Sequence, residues 1–291
     1  MSATVSPNVS PNMRAREARQ TGVRAWAVYG ALGIALAVVV SPLAWMLLGS
    51  VKSDAEIRRI PPTWLPEQVT LENYEELFTR LDFPQYFANS VLVTGTITLG
   101  NLLFCSMLGY ALAKIDFAGR RALFALVVGT LMVPGMVTFI PLFVLISNLG
   151  LVDSYAGMIL PYLAGPFGVF LMRQFISGLP DEVFDAARVD GAGEARIFAR
   201  IALPLSRPAL ATLAILTFLA QWNSFLWPLV VAQTESRYTL PVALALYSIG
   251  QNQIRYGLLL AGAVIVVIPV MVVFLALQRF FVQGIAMTGL K

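Results

Sequence analysis

Six long stretches without a charged side chain constrain the fold of this sequence more than any other feature. They contain 19 to 31 residues each and lie between Arg24 and Lys52, Asp82 and Lys114, Arg121 and Asp153, Asp153 and Arg173, Arg207 and Glu235, and Arg255 and Arg279. An α-helix needs about 18 or more apolar residues to cross a bilayer. The sequence therefore predicts an all-α integral membrane protein with six transmembrane helices, at about Trp26–Leu48, Phe87–Ala113, Ala122–Ile146, Ser154–Met172, Pro208–Val231 and Gly257–Leu277.

The composition and the placement of the basic residues agree with this prediction. Hydrophobic residues make up 58% of the chain and charged residues 12%, whereas about a quarter of the residues in soluble domains are charged. Six spans place both termini on one side. If that side is the cytoplasm, the inner segments contain 14 Lys and Arg residues and the outer segments 6, as the positive-inside rule requires. We therefore predict a multi-pass protein of the cell membrane with both termini cytoplasmic, whose net charge of +4 requires no nucleic-acid partner.

The spans divide the chain into a tail, a transmembrane domain and three notable loops. Residues 1–24 are predicted to form a disordered cytoplasmic tail, and residues 25–291 form the transmembrane domain. Residues 51–86 and 233–256 are outer loops, and residues 178–207 are an inner loop. The first outer loop is predicted to lie as a lid on the outer face of the membrane. In it, Thr70 is a candidate cap for a helix whose acidic residues are more typical of a solvated face than of a ligand site: Glu72, Glu75 and Glu76.

The most charge-dense segment is Gly178–Pro208, which we call the elbow. Pro180, Asp181 and Glu182 favour the start of a helix, and Gly191 favours its end. One face of this helix is small and apolar except at its end: Val183, Ala186, Ala187 and Asp190. A second helix is predicted to begin near Gly193 and to be interrupted by Pro204 and Pro208. Its apolar stripe consists of Ile197, Phe198 and Ile201.

The elbow resembles the EAA motif of binding-protein-dependent ABC importers. The residues that carry this resemblance are DAARVDG at 185–191 and IALP at 201–204, and the spacing between them matches the motif. Asp185 stands where the family usually has Glu, and Gly193 stands where Ser often caps the second helix. The stretches SVKSDAEIRRIPPTWLP, LENY, YFANS and QWNSFLWPL are similar to the sugar branch of these permeases, in particular to the second permease of maltose-type systems.

This resemblance implies a type I ABC importer permease (MetI-like) fold and a membrane-spanning permease domain over residues 25–291. It implies that the elbow is the coupling helix that docks on an ATPase subunit, through Asp185, Ala186, Ala187, Asp190, Gly191, Ile201, Leu203 and Pro204. The implied partners are a second homologous permease subunit, an ATPase dimer that binds ATP and Mg, and an extracytoplasmic solute-binding protein docking on loop 233–256, all within membrane lipid. The implied cargo is a sugar or oligosaccharide, with glycerol phosphate or another polyol as the alternative.

Polar and helix-breaking residues inside two spans mark a candidate translocation path. They are Pro134 and Thr138 in the third span, and Gln221, Asn223 and Ser224 in the fifth. Buried amides in hydrocarbon need partners, which are supplied either by a watery path or by another helix. Both interpretations stay open for the fifth span, as do a path and a simple kink for the third.

Several functions are excluded or disfavoured by what the sequence lacks. It has no G-x-x-x-x-G-K-[ST] motif, so ATP hydrolysis is expected in a separate subunit and no cofactor is expected on this chain. It has no His and a single Cys, Cys105, which excludes His-ligated metal sites and an internal disulfide. Cys105 is predicted to be a small packing residue. A self-contained secondary transporter is the alternative class, but the spans contain no charge and no repeat is evident; a membrane scaffold without transport is harder to exclude.

Overall fold

The computed structural model describes residues 11–79, 81–248 and 255–288, and all of the regular secondary structure in these ranges is helical. The first α-helices are α1 (Pro11–Ser50), α2 (Asp54–Ile57), α3 (Glu72–Thr79), α4 (Phe83–Gly100), α5 (Ser106–Lys114), α6 (Arg120–Leu131), α7 (Gly135–Asn148) and α8 (Tyr155–Ile159). They are followed by α9 (Pro166–Ser177), α10 (Asp181–Val189), α11 (Glu194–Ile197), α12 (Leu203–Leu205), α13 (Arg207–Trp222), α14 (Leu226–Val231), α15 (Leu240–Ser248) and α16 (Tyr256–Thr288).

Four helical stretches of the described residues are long and apolar enough to cross a membrane: Val28–Ser50, Phe83–Lys114, Tyr155–Ser177 and Tyr256–Gln278. Two bent pairs raise the number to six if each pair is one span: Arg120–Leu131 with Gly135–Asn148, and Glu194–Leu205 with Arg207–Trp222. These six segments correspond in order to the six predicted spans. The prediction of an all-helical membrane protein is confirmed.

Helices α6 and α7 meet at an angle of 104°, so the third predicted span is not one continuous helix. The cause is Pro134, which precedes α7 with an extended backbone. Proline has no N–H to donate, and it disfavours the helical conformation in the residue before it, here Val133. The span predicted over Ala122–Ile146, with helix-breaking residues inside it, is thus divided into two helices at Pro134.

The fifth predicted span, Pro208–Val231, is also two helices in the structure. Helix α13 ends at Trp222, and α14 begins at Leu226 after a turn that contains Asn223 and Ser224. Two local features explain the break. The Asn223 side chain donates to the carbonyl oxygen of Leu219 (2.8 Å) and so competes with the backbone for it. Pro228 cannot donate to the carbonyl of Ser224, which lies four residues earlier.

The N-terminal end of the chain differs from its prediction. Disorder is predicted for residues 1–24, but α1 already includes residues 11–24. The reason is that Arg14–Arg24 is rich in alanine and arginine, which favour a helix, and it continues directly into an apolar helix that has already been nucleated. Residues 1–10 lie outside the described residues.

Helices α5 and α9 approach each other closely. A Cβ atom built on Gly109 of α5 would lie 2.7 Å from Met172 Cβ and 2.8 Å from the Arg173 backbone nitrogen. On α9, a Cβ on Gly168 would lie 2.7 Å from Cys105 Sγ. Cys105 is fully buried, as its predicted packing role requires. Small residues allow this approach in lipid, where no hydrophobic effect drives helices together.

The outer loop 51–86 joins the ends of α1 and α16. The predicted helix is present as α3, and the Glu72 N–H donates to Thr70 Oγ1 (3.1 Å). Asn73 donates to the carbonyl oxygens of Ser50 (2.9 Å) and Lys52 (2.8 Å). The prediction of a solvated acidic face is wrong for Glu76, which is buried and paired with Arg255. A buried carboxylate needs such a partner.

The backbone at the start of the outer loop 233–256 is held by the carboxylate of Asp153, which lies in an earlier part of the chain. Asp153 accepts hydrogen bonds from the backbone N–H groups of Gln233 (2.9 Å) and Thr234 (3.0 Å). These bonds, that of Thr234 first, hold the pKa of Asp153 below its usual value. Asn89 of α4 donates to the carbonyl oxygens of Ser236 (2.9 Å) and Tyr238 (2.8 Å). The start of the loop is therefore fixed, whereas its GQNQ stretch lies outside the described residues.

Candidate functional site

The elbow forms the two helices that its capping residues predict. Helix α10 follows Pro180, and Gly191 ends it with a φ of 77°. This left-handed conformation is easily adopted only by glycine. Helix α11 begins after Gly193, whose backbone is extended. Both helix starts and the first helix end are thus set by local chemistry.

Pro204 does not interrupt the second helix, contrary to the prediction. A π-helical turn at Phe198–Ala202 precedes it, and the helix continues through α12 to Leu205. Such a turn shifts the backbone hydrogen bonds to i→i+5, so the missing N–H of Pro204 is accommodated without ending the helix. The break occurs at Ser206, where the elbow and α13 meet at 79°.

Phe184 anchors the elbow to the transmembrane helices. Its side chain is 0% exposed and belongs to a buried cluster with residues of α5, α9 and α13. The Tyr110 ring lies 6.2 Å from it, and Lys114 Nζ lies 4.8 Å from the centre of the Phe184 ring. Helix α10 has only nine residues, and isolated helices of that length are marginal in water. Burial of Phe184 therefore holds α10 in place.

Lys114, at the end of α5, fixes the start of α10. Its side chain is almost fully buried, and Nζ donates to the Leu179 carbonyl oxygen (2.7 Å) and to Asp181 Oδ1 (2.5 Å). The hydrogen bond from Lys114 holds the pKa of Asp181 below its usual value. The cation also lies near the negative C-terminal end of α5, where a positive charge is favourable.

Arg188 and Glu194 join the two elbow helices to α5, and we call this group, with Tyr110, the elbow clasp. Arg188 Nε donates to Glu194 Oε1 (2.9 Å), and Nη2 donates to the Lys114 carbonyl oxygen (2.9 Å). Tyr110 Oη donates to Glu194 Oε2 (2.5 Å). Arg188 Nη1 donates to Asp185 Oδ1 (2.9 Å). The clasp therefore fixes the elbow to the C-terminal end of α5.

The structure divides the predicted coupling residues between an outer face and an inner face. Asp185, Ala186, Asp190, Gly191 and Pro204 are exposed. Ala187 and Ile201 are partly buried and pack against the cluster around Phe184, and Leu203 is also partly buried. The exposed face has small side chains and carboxylates, which permit close approach to a partner.

The clasp is missed by reasoning from the sequence alone. Tyr110 and Lys114 are predicted only as parts of a span and its flank, and each is more than 60 residues from its elbow partner. One signal exists in the sequence: Phe184 is the one aromatic residue in a helix of charged and small apolar side chains, which indicates a buried contact.

The predicted path residues line two adjoining grooves. Thr138 and Gln221 line the first, of about 420 Å³, between α7, α9 and α13. Asn223 and Ser224 line the second, of about 600 Å³. Both grooves share Gly135, Phe139 and Tyr162. Pro134 is not among the residues that line either groove.

Side-chain amides of the second span tie helices together, whereas that of Asn223 in the fifth span does not. The Asn223 amide donates within its own turn, to Leu219, so that bond does not link two helices. Asn101 does link them: Nδ2 donates to the Tyr162 carbonyl oxygen (2.6 Å), and Oδ1 accepts from the Gly165 N–H (3.0 Å). Asn89 has a similar role at the outer end of α4. The Asn223 side chain therefore lines the groove without joining two helices through that bond.

The structure is thus a membrane bundle of bent helices with an uncharged groove and a folded elbow, an architecture that suits a transport subunit. Comparison with known proteins identifies the family. The sequence profile of the family described as "Binding-protein-dependent transport system inner membrane component" matches residues 106–287. The chain belongs to this family. It is a multi-pass permease subunit of an ABC importer in the inner membrane, not an enzyme; ATP hydrolysis belongs to a separate subunit.

Three relatives illustrate this membership. The chain is 42% identical over 259 residues to the arabinooligosaccharides transport system permease protein AraQ of Halalkalibacterium halodurans, which covers 87% of this chain and 92% of that protein. It is 36% identical to the diacetylchitobiose uptake system permease protein NgcG of Streptomyces coelicolor, and the match covers 83% of this chain and 81% of that protein. In fold it is similar to a chain of a bacterial ABC transporter involved in alginate import, with a TM-score of 0.79 and 24% identity. That match covers 95% of this chain and 100% of the other.

Proposed function

We propose that this permease imports a neutral sugar or oligosaccharide through the two grooves beside α13. The observation that carries the proposal is the lining of the grooves. Among the lining residues are the polar side chains of Asn101, Thr138, Tyr162, Thr217, Gln221, Asn223 and Ser224, and none of the lining residues is charged. Hydroxyl and amide groups can replace the water around sugar hydroxyls, while aromatic faces cover the apolar faces of the rings.

The uncharged lining also favours a sugar over glycerol phosphate. A phosphate group is usually bound by Arg, by Lys or by a helix N-terminus, and no basic side chain lines either groove. The names of relatives do not decide between the two cargoes: AraQ and NgcG are named for arabinooligosaccharides and diacetylchitobiose, whereas the permease UgpE of Salmonella typhimurium, 33% identical over 259 residues, is named for sn-glycerol-3-phosphate. A self-contained secondary transporter is not favoured, because the family depends on partners.

We further propose that the exposed face of the elbow docks on an ATPase dimer that binds ATP and Mg. The support is that this face is small and acidic, while the opposite face is fixed to α5 by Phe184 and the clasp. A second homologous permease would complete the path, and an extracytoplasmic solute-binding protein would dock on loop 233–256. In this proposed arrangement both termini would be cytoplasmic.

Replacing Gly191 by valine tests the docking role. The φ of 77° is unfavourable for any other residue, and most of all for a β-branched one. The turn between α10 and α11 should therefore distort, and uptake should fall at least tenfold while the protein still inserts. The control is Gly193→Ala, because Gly193 has an ordinary φ of −69° and open space around it. Radiolabelled uptake and membrane content are measured; normal uptake by the valine variant would contradict docking through this turn.

Replacing Asn223 by leucine tests the path. The amide lies at the groove and bonds only within its own turn in the described contacts, so its loss should raise the KM for uptake several-fold with little effect on assembly. Asn148→Leu is the control, since Asn148 is an exposed amide that does not line either groove. Unchanged uptake kinetics with reduced assembly would show that Asn223 serves packing instead.

The cargo is tested with the complete importer in vesicles. Uptake is measured for a panel of neutral oligosaccharides and for glycerol 3-phosphate, with the matching binding protein present. ATP-dependent uptake of a neutral oligosaccharide is expected. Uptake of glycerol 3-phosphate alone would refute the proposed cargo.

A further inference from the structure

The outer loop between α2 and α3 presents large apolar side chains away from the protein. Ile60 is 93% exposed, Trp64 76% and Leu65 72%. We call residues 60–65 the apolar loop. Scattered single apolar residues are normal on a surface, but a cluster such as this one usually marks contact with another protein or with a membrane.

The apolar loop is held in place by buried charges. Lys52 Nζ donates to the carbonyl oxygen of Thr63 (2.6 Å) and to that of Trp64 (3.4 Å). Thr63 Oγ1 donates to Glu56 Oε1 (2.6 Å), and Lys52 and Glu56 are only 3% and 9% exposed. The outward direction of the loop is thus built into the structure and is not the result of local disorder.

The position of the loop relative to the bilayer follows from the tryptophans of α1. Trp26 and Trp45 are 19 residues apart, which is about 28 Å along an α-helix. The hydrocarbon core of a bilayer is about 30 Å thick, and tryptophan is enriched at its two boundaries. Trp64 packs edge-to-face against Trp45 with ring centroids 5.4 Å apart. The apolar loop therefore lies at the level of one membrane boundary, at the end of α1 away from Arg24.

We propose that the apolar loop inserts into the boundary between headgroups and acyl chains of the outer leaflet, so that lipid is its partner. Burial of Ile60 and Leu65 in acyl chains would give the hydrophobic contribution, and Trp64 suits a site that is apolar at one end and wet at the other. The apolar loop is bonded to Lys52, whose carbonyl oxygen accepts from Asn73 of α3, and Asp54 of α2 accepts from the Gly257 N–H of α16. Through these connections, the insertion would hold the outer ends of α1 and α16 at a fixed depth.

Spin-label depth measurements test the proposal on the complete importer in vesicles of phosphatidylethanolamine and phosphatidylglycerol. Cys105 is the single native cysteine, so Cys105→Ser gives the background for Ile60→Cys and Leu65→Cys. The control is Gln68→Cys, an exposed polar position of the outer loop 51–86 that lies outside the apolar loop. We expect labels at residues 60 and 65 to be several-fold more accessible to oxygen than to a water-soluble nickel complex, and the label at residue 68 to show the reverse.

Two outcomes would overturn the proposal. Accessibility to nickel at residues 60 and 65 equal to that at residue 68 would place the loop in water. Protection from both reagents would show that a protein, such as the sister permease or the binding protein, covers it. If the labelled variants do not assemble, Trp64→Phe is used instead. The fluorescence quenched by brominated lipid should then be lower than in the native protein, and equal quenching would likewise refute insertion.

Discussion

Replacing Phe184 by alanine is expected to abolish import while the transmembrane helices still insert. The side chain is fully buried between the elbow and α5, and truncation of a buried phenylalanine costs about 3–5 kcal/mol. Helix α10 has few other apolar contacts, since Val183 and Val189 are exposed. Loss of Phe184 should therefore release α10 from the membrane domain and prevent productive contact with the ATPase. Uptake and co-purification of the ATPase are the measurements.

The matched control is Val189→Ala. Val189 lies on the same helix but is 88% exposed, so the protein fold should be unaffected by its truncation. Intact uptake by Phe184→Ala would show that the elbow is held by its polar bonds alone. Loss of uptake by both variants would assign the effect to the docking face and not to the anchor.

Replacing Gly109 by leucine is expected to disrupt the whole bundle. Even a methyl group at this position would lie 2.7 Å from Met172 Cβ and 2.8 Å from a backbone nitrogen of α9. Because the backbone cannot move aside locally, α5 and α9 must separate. Overpacking costs about 1–3 kcal/mol for small insertions and more for larger ones. The midpoint of thermal unfolding in detergent should fall by many degrees, and less protein should accumulate in the membrane.

Gly95→Leu provides the control within the same span. A Cβ built there meets no atom within 4 Å, and replacing glycine in a helix interior removes an entropic cost of about 0.5–1 kcal/mol. Its unfolding midpoint should be unchanged or higher. Equal loss of stability in both variants would mean that glycine is needed at both positions for a reason other than the contact of α5 with α9.

The sequence predicts the parts of this fold that depend on local chemistry. Charge-free length locates the six spans, because the cost of a charge in lipid is high at any position along a span. The capping residues Pro180, Gly191 and Gly193 indicate where the elbow helices begin and end, because each acts on the backbone within one turn of its own position. The 104° bend at Pro134 escapes such reasoning, since a proline can either kink a helix or end it, and the packing of neighbouring helices decides the angle.

The contacts between distant segments are predicted least well. The hydrogen bond between Tyr110 and Glu194 joins residues that are 84 positions apart in the sequence. It depends on where α5 ends relative to the elbow. Pro204 shows the same limitation on a smaller scale, because the π-helical turn that accommodates it is not encoded by a recognisable motif. Four of the five predicted path residues, Thr138, Gln221, Asn223 and Ser224, line the two grooves, and Pro134 is not among the lining residues. Their role in transport stays a prediction.

The clasp determines which helices would move with the elbow under the proposed docking on an ATPase. The elbow continues covalently into α13 through Ser206, and it is bonded to α5 through Tyr110 and Lys114. A displacement of the elbow is therefore shared by two non-adjacent helices, and α9 follows because it is packed tightly on α5. Under the proposed docking, the walls of the groove formed by α9 and α13 would therefore move together, on both sides of the proposed cargo path.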